Sequence, residues 1–295
     1  MRRAVIDLGT NTFNLLIADT QKRQVLFQTK VGVALGMGGI NEKRISNEAM
    51  ERALEALRLF KAHCAQWQVE DIRAIGTSAL RDATNAQDLL CKVQDELQFS
   101  IEIITGQREA ELIYKGVRLT HDFVNPALIM DIGGGSTEFI AADHQGPFVA
   151  HSFDIGVSRL FQLFKFQDPM SLNDIEKVET YLAERCAPFF KQQLPTVLIG
   201  SSGSFETFYE LMEESIFDSK SNAIEVDSNR FAQMLGQIIA STQAERDQNP
   251  HIIAIRKKMA PLAAVKTRWV MRQAQISQIL ISPYSLKEGV LFASL

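Results

Sequence analysis

The sequence has few of the residues that build disulfide, zinc or covalent-catalysis sites. Its three cysteines, Cys64, Cys91 and Cys186, are odd in number and far apart, which argues against a disulfide framework or a zinc site. The five histidines show no metal-ligand spacing, and no Ser-His-Asp or Cys-His signature is present. We therefore expect reduced thiols in a cytoplasmic protein, and chemistry without a covalent enzyme intermediate.

Long apolar runs and blocks of one charge sign are also missing. No uninterrupted apolar stretch approaches a membrane span, and only a few apolar residues precede Asp7. We therefore expect no membrane segment and no signal peptide. The net charge is −4 and no cluster of Lys or Arg stands out, which argues against a nucleic-acid partner. An anionic substrate would need local basic groups or a metal ion.

The 295 residues, 46% hydrophobic and 22% charged, are enough for about two globular domains with a real core. Three strand-like runs between residues 4 and 33 precede alternating helices and strands that end with a helix from about 107. The same order restarts after Asn125-Pro126, with an all-helical insertion predicted at 228–240, 244–255 and 258–273. This pattern predicts an α/β protein with two mixed sheets, flanking helices and a cleft between two lobes.

One short phrase occurs twice, as Ala4-Val-Ile-Asp-Leu-Gly-Thr-Asn-Thr12 and as Leu128-Ile-Met-Asp-Ile-Gly-Gly-Gly-Ser-Thr137. Each reads as a buried strand that ends in Asp and enters a Gly turn. Such turns can wrap phosphate with backbone N–H groups, although Asp is also common in ordinary turns. The duplication favours phosphate binding, and the candidate residues are Asp7, Gly9, Thr10, Asn11, Thr12, Gly133, Gly134, Gly135 and Ser136.

Two carboxylates flank the second Gly turn. Asp131 precedes it and Glu138 follows it, so both can face its concave side. Oxygen ligands of this type suit Mg²⁺ or Mn²⁺. The alternative is that Asp131 only orders the turn and Glu138 is an exposed strand residue. Three consecutive glycines favour ligand binding, because they cost backbone entropy and bring no side chain to pack.

Three further positions could contribute to a site. Arg81 follows a strand predicted at 71–76 and could present its planar fork to phosphate, although a surface ion pair is commoner. Gly203 and Ser204 lie where a strand ends and a helix begins, a place that suits anions. Glu109 lies in the first turn of the helix from about 107. Taken alone, a carboxylate there only stabilises the helix through its dipole.

Four motifs, in order, resemble those of the exopolyphosphatase/guanosine pentaphosphate phosphohydrolase family. They are Asp7-Leu-Gly-Thr-Asn-Thr12, Gly76-Thr-Ser-Ala-Leu-Arg-Asp-Ala-Thr-Asn85, Gly106-Gln-Arg-Glu-Ala-Glu-Leu-Ile-Tyr-Lys-Gly116 and Asp131-Ile-Gly-Gly-Gly-Ser-Thr-Glu138. Weaker similarity at 156–160, 200–204 and 285–289 extends the resemblance over essentially the whole chain.

The resemblance implies an actin-like fold of two ribonuclease-H-like lobes, 1–123 plus 284–295 and 124–283. It also implies Mg²⁺-dependent hydrolysis of a terminal phosphoanhydride in the interlobe cleft. By motif position, Glu109 matches the catalytic glutamate and Arg81 the substrate-contacting arginine. The metal-site segment is matched by Asp131, Gly133 and Glu138.

Several positions depart from the family pattern. Asn14 stands where relatives usually carry Arg or His, and Ala34 where they are often basic, so each removes a possible phosphate contact. Arg108 replaces a common acidic residue and could lower the basicity of Glu109. Ser204 replaces a usual Thr. The sequence stops at Leu295, and we therefore expect it to lack the extra helical domains that longer members append.

We therefore expect a hydrolase that releases terminal phosphate from inorganic polyphosphate or from the 5′ end of guanosine pentaphosphate. One alternative is an actin-like ATPase or sugar kinase, which needs an adenosine-binding segment that 258–273 does not offer. The other is a non-catalytic sensor of guanosine tetra- or pentaphosphate. The expected partner is the phosphorylated substrate, and nothing in the sequence excludes a homodimer.

Overall fold

The computed structural model describes residues 1–218 and 222–292. The strands of its first sheet are β1 (Arg2–Leu8), β2 (Thr12–Asp19), β3 (Gln24–Gly32), β4 (Asp71–Gly76) and β5 (Ile101–Ile103). Their order is β3-β2-β1-β4-β5. The first three strands form an antiparallel meander, and β4 and β5 run parallel to β1, so the sheet is mixed.

The second sheet repeats this arrangement. Its strands are β6 (Ala127–Ile132), β7 (Thr137–Asp143), β8 (Gly146–Phe153), β9 (Val197–Ser201), β10 (Ile224–Val226) and β11 (Gln278–Ile281). The order β8-β7-β6-β9-β11 matches that of the first sheet, and β10 adds an antiparallel strand at the edge. Equivalent strand ends, after β1 and after β6, therefore carry the two Gly turns.

Helices cover the sheets. They are α1 (Asn47–Gln66), α2 (Ser78–Asp82), α3 (Ala86–Leu97), α4 (Gly106–Val117), α5 (Val157–Leu163), α6 (Leu172–Phe190), α7 (Ser202–Glu213), α8 (Ser228–Ala240), α9 (Gln243–Gln248), α10 (Ala260–Gln273) and α11 (Leu286–Phe292). The N-cap of α1 is Ser46, because its side chain accepts a hydrogen bond from the backbone N–H of Ala49. No helix of the described residues is long and apolar enough to cross a membrane.

The prediction of one helix over 244–255 is wrong. Helix α9 ends at Gln248, and a separate 3₁₀ turn follows at Ala254–Arg256. Asn249 is extended, with φ −76° and ψ 118°, because the ring of Pro250 disfavours the helical conformation at the residue before it. The short elements α2 and β10 were not predicted, since three to five residues carry too little periodicity.

The apolar core forms three layers. One cluster packs α1 and α3 on the outer face of the first sheet, and another packs α5, α6, α8 and α10 on the outer face of the second. The third lies between the sheets and contains α4 and α11. Alternation along β1 shows the division, since Ala4 and Ile6 belong to the outer cluster and Val5 to the central one.

Helix α11 packs on α4 and on β1, so the end of the chain returns to the first sheet. The two helices approach closely at Gly116 and Gly289. A β-carbon at Gly116 would overlap the carbonyl of Ser285, and one at Gly289 would overlap that of Leu112. The predicted fold class, two mixed sheets with flanking helices, is confirmed. The lobe limits at 123/124 and 283/284 stay a prediction.

Candidate active site

A cavity of about 610 Å³ opens where the two Gly turns face each other. Predicted site residues from both halves of the chain line it: Asp7, Gly9, Thr10, Asn11, Thr12, Glu109, Asp131, Gly133, Gly134, Gly135, Ser136, Glu138, Gly203 and Ser204. Arg81 is not among the lining residues. The fold thus brings the two copies of the repeated phrase to one place.

The two Gly turns are in direct contact. A β-carbon at Gly134 would lie 2.9 Å from Cβ of Thr10 and 2.8 Å from Cγ of Asn11, and one at Gly135 would lie 2.8 Å from Oγ1 of Thr10. The expectation that these glycines pack against nothing is therefore wrong. Gly134 and Gly135 are needed because any side chain there would push the turns apart.

The turn before α5 supports the second Gly turn from behind. The backbone N–H of Gly156 donates to Gly135 at 3.1 Å, and that of Ser158 donates to Gly134 at 2.8 Å. The buried Arg159 adds a bond from Nε to the Gly135 carbonyl and an ion pair of 2.5 Å with Asp82. This segment, only weakly marked in the sequence, joins the two halves of the molecule beside the cavity.

Asp131 is held by hydroxyl groups. Its carboxylate accepts hydrogen bonds from Oγ of Ser201 and of Ser202, each at 2.8 Å, and from the hydroxyl of Ser285. Ser201 pairs with Asp131 across the parallel strands β6 and β9. A sequence signal did exist for these serines, since the carboxyl ends of neighbouring parallel strands meet at one edge of a sheet.

Glu138 lies directly opposite Asp131 in the β6–β7 ladder and is buried, so it is not the exposed strand residue of the alternative interpretation. Its Oε1 accepts a hydrogen bond of 2.6 Å from Ser152. Burial, and then repulsion from Asp131, raise the pKa of Glu138 to about 7. The two carboxylates therefore share one face and disfavour each other's charge.

Glu109 reaches the cavity from the N-terminus of α4, where Thr105 caps the helix. Burial, reinforced by the nearby charge of Glu138, raises the pKa of Glu109 well above its ordinary value. Arg81 opposes this shift, because its Nη1 lies 2.8 Å from Oε2 of Glu109. The structure thus places Arg81 on the predicted catalytic glutamate, and its predicted contact with phosphate stays a prediction.

Arg108 does not act on Glu109 in the way its sequence position suggests. Its guanidinium pairs with Glu111 at 3.1 Å on the exposed side of α4. The pairing of Glu111 with Lys115 expected from helical spacing is replaced by this contact.

Asp7, at the end of β1, is also perturbed. Burial raises its pKa to about 6, although Asn14 partly offsets this with a hydrogen bond of 2.9 Å from Nδ2. Lys287 lowers the same pKa and Asp131 raises it. Asn14 therefore contacts an aspartate of the site through a neutral hydrogen-bond donor.

The donor set fits a hard divalent cation. Asp7, Asp131 and Glu138 offer only oxygen ligands, and their mutual repulsion would be relieved by positive charge. Within residues 1–218 and 222–292, no three Asp, Glu, His or Cys side chains come close enough to complete a metal centre by themselves. Mg²⁺ is commonly bound by one or two carboxylates, with water and substrate phosphates supplying the remaining ligands.

Three basic residues also line the cavity. They are Lys30 on β3, Arg256 in the 3₁₀ turn and Lys287 on α11. The guanidinium of Arg256 lies against Gly203, where a side chain would overlap it. Gly203 therefore makes room for an arginine. Sequence reasoning missed these three residues because each is an isolated basic residue in its own segment.

Two mixed sheets of one strand order, joined at paired Gly turns over buried carboxylates, define a protein of the actin-like class. The sequence profile of the Ppx/GppA phosphatase family matches residues 16–295. The chain belongs to this family.

Relatives agree with this assignment. The guanosine-5′-triphosphate,3′-diphosphate pyrophosphatase of Aeromonas salmonicida is 29% identical over 298 residues, covering 99% of this chain and 59% of the relative. An Aeromonas hydrophila protein of the same name is 28% identical. The chain thus spans 59% of the length of these curated relatives.

Solved structures match over the whole chain. A crystal structure of an exopolyphosphatase from Cytophaga hutchinsonii has a TM-score of 0.96 and 37% identity, covering 100% of this chain and 97% of that one. The Ppx/GppA family member of Aquifex aeolicus has a TM-score of 0.82, with coverage of 100% and 97%; its identity of 22% makes it evidence for the fold alone.

Proposed function

We propose that this chain is a phosphoanhydride hydrolase that releases terminal phosphate from inorganic polyphosphate or the 5′-phosphate of guanosine pentaphosphate. One observation carries the proposal. Two facing Gly turns and four carboxylates, Asp7, Glu109, Asp131 and Glu138, line a single cavity. The names of the relatives, an exopolyphosphatase and guanosine pentaphosphate pyrophosphatases, support this substrate class.

Glu109 is the general base of the proposed reaction. It accepts a proton from the attacking water, which requires its ionised form. Its raised pKa gives the carboxylate a higher affinity for that proton. Arg81 holds the carboxylate at 2.8 Å and favours ionisation. The base is therefore both oriented and kept available by one partner.

The Gly turns position the phosphates. Backbone N–H groups of the segments at 9–12 and 133–136 hold the substrate chain, so that the terminal group faces Glu109. Asp131, Gly133 and Glu138 would hold Mg²⁺ or Mn²⁺. When bound, the ion supplies positive charge that neutralises the transferring phosphoryl group. Positioning and electrostatics supply most of the rate, because this reaction needs no covalent enzyme intermediate.

Phosphate release by the purified protein tests the proposal. Tripolyphosphate, guanosine pentaphosphate and ATP are compared with Mg²⁺ present. Release from either of the first two, and little from ATP, supports the hydrolase. Release from ATP alone would favour the actin-like ATPase, and tight binding of guanosine pentaphosphate without release would favour the sensor.

We also propose a cytoplasmic location. All three cysteines are free thiols, and two of them, Cys64 and Cys186, are buried. Unpaired thiols are typical of reducing compartments. Fractionation of cells would test this, with the protein expected in the cytoplasmic fraction; recovery in another fraction would contradict it.

A further inference from the structure

An ion pair that the proposed reaction does not use also lines the cavity. Lys30 projects from β3 of the first sheet, and Glu206 from α7, which follows β9 of the second sheet. The Nζ of Lys30 lies 3.2 Å from Oε2 of Glu206, and both side chains line the cavity. The two halves of the molecule are therefore joined by opposite charges inside the cavity.

Arg256 belongs to the same cluster. Its Nη1 lies 3.9 Å from Oε2 of Glu206 and donates a hydrogen bond of 2.9 Å to Oγ1 of Thr207. Glu210, one turn along α7, also lines the cavity, but its Oε1 accepts a hydrogen bond from the backbone N–H of Phe217. Among these cavity residues, Glu206 is the carboxylate that both Lys30 and Arg256 contact.

The pKa of Glu206 is shifted in the opposite direction from the pKa values of Asp7, Glu109 and Glu138. Burial raises its pKa, but Lys30, Arg256 and Lys287 outweigh burial and lower it. Glu206 is therefore ionised at neutral pH. Its carboxylate pairs with cations that would otherwise attract an anionic chain. A polyphosphate bound in this cavity would pair with the same cations that the Glu206 carboxylate already contacts.

We propose that Glu206 competes with the substrate for Lys30 and Arg256, and thereby limits the affinity of the cavity for extended phosphate chains. The inference rests on the proposed function, because it takes the substrate to be a chain of phosphates. A chain bound at the Gly turns must displace Glu206 before its distal phosphates gain these two cations. Glu206 is thus a specificity-determining residue that weakens binding.

The size of the effect follows from exposure. The side chain of Lys30 is 47% exposed and that of Glu206 is 24% exposed, so solvent screens the pair. Removing the competing charge is expected to tighten binding by about threefold to tenfold, and more at low salt than at high salt.

Calorimetric titration with tripolyphosphate in excess chelator tests this without depending on turnover. The Glu206→Gln variant keeps the shape of the side chain and removes its charge. Glu213→Gln is the matched control, because Glu213 lies on the same helix but pairs with Arg230 at 3.2 Å, away from the cavity. The double variant Lys30→Met/Glu206→Gln completes the comparison.

The expected result is a lower Kd for Glu206→Gln, an unchanged Kd for Glu213→Gln, and loss of most of the gain in the double variant. An unchanged or higher Kd for Glu206→Gln overturns the inference, and so does the absence of measurable binding by both wild type and variant. Phosphate release with Mg²⁺ is recorded separately. Tighter binding without release would count against the proposed function alone, and release without tighter binding would count against this inference alone.

Discussion

Arg81 and Glu109 form an ion pair of 2.8 Å at the wall of the cavity, although 27 residues separate them in the chain. The glutamate is buried among other carboxylates, which favours its protonated form, and the arginine favours its ionised form. The balance between these two effects decides whether Glu109 can accept a proton at neutral pH.

The Glu109→Gln variant tests the proposed base. We expect kcat to fall by ~10²–10⁴-fold with substrate binding largely kept. If Glu109 only interacted with the dipole at the start of α4, the same change would keep activity and cost about 0.3–1 kcal/mol of stability. Glu111→Gln is the control, because Glu111 pairs with Arg108 on the exposed side of the helix. Turnover near that of wild type would contradict the assignment of Glu109 as the base.

Arg81→Met should change the pH dependence of the reaction. Loss of the guanidinium raises the pKa of Glu109 further, so ionisation requires a higher pH. The acidic limb of the kcat/KM profile should therefore move upward by about 1–3 pH units. Arg108→Met should leave the profile in place, since Arg108 does not contact Glu109. A profile unchanged by Arg81→Met would show that the ion pair does not tune the base.

Metal dependence is the third prediction. Phosphate release should require Mg²⁺ or Mn²⁺ and should stop in excess chelator, because the site offers only oxygen ligands. Asp131→Asn should bring release to background. Asn is a better test than Ala, since Asp131→Ala would leave the hydroxyls of Ser201, Ser202 and Ser285 without their acceptor and lower the stability of the fold. Thermal denaturation checks folding, and full turnover in chelator would contradict the mechanism.

Lys266 should make stability depend on pH. It is fully buried on α10, where its Nζ donates to Oγ1 of Thr137 at 2.5 Å and to the carbonyl of Ile155 at 2.6 Å. Burial lowers its pKa to about 7, while Cys186 and Glu138, which face it, act in the opposite direction.

The sign follows from proton uptake. Between about pH 7 and pH 10.5 the unfolded chain keeps the Lys266 proton and the folded chain does not, so the free energy of unfolding rises with pH. Lys266→Met should lack this contribution. Denaturant unfolding of both proteins at pH 7 and pH 9.5 measures it, and parallel curves would contradict the buried, depressed lysine.

Substrate length is the last prediction. The net charge of −4, the loss of a basic residue at Asn14 and the pairing of Lys30 with Glu206 all reduce attraction to a long polyanion. We expect higher kcat/KM on tripolyphosphate or guanosine pentaphosphate than on polymers of hundreds of units. Initial rates on chains of defined length decide this, and a clear preference for long polymer would contradict it.

The sequence by itself determined the two sheets, because hydrophobic periodicity and Gly turns are local signals. The repeated Asp-Gly phrase predicted the pairing of Asp7 with Asp131 in one site, since equivalent strands of two similar lobes end at the same cleft. The N-cap at Ser46 is a local signal of the same kind, because an N-cap depends only on residues within one turn.

Only the tertiary structure decided which partners each site residue has. Arg81 on Glu109, three hydroxyls on Asp131 and Glu206 between Lys30 and Arg256 all join segments far apart in the chain. Arg108 shows the converse, since adjacency to Glu109 in sequence did not become contact in space. The burial of each titratable group is likewise decided by the tertiary structure. The pKa values of Asp7, Glu138 and Lys266 depend on the surface that folding removes from water, and that surface belongs to other elements of the chain.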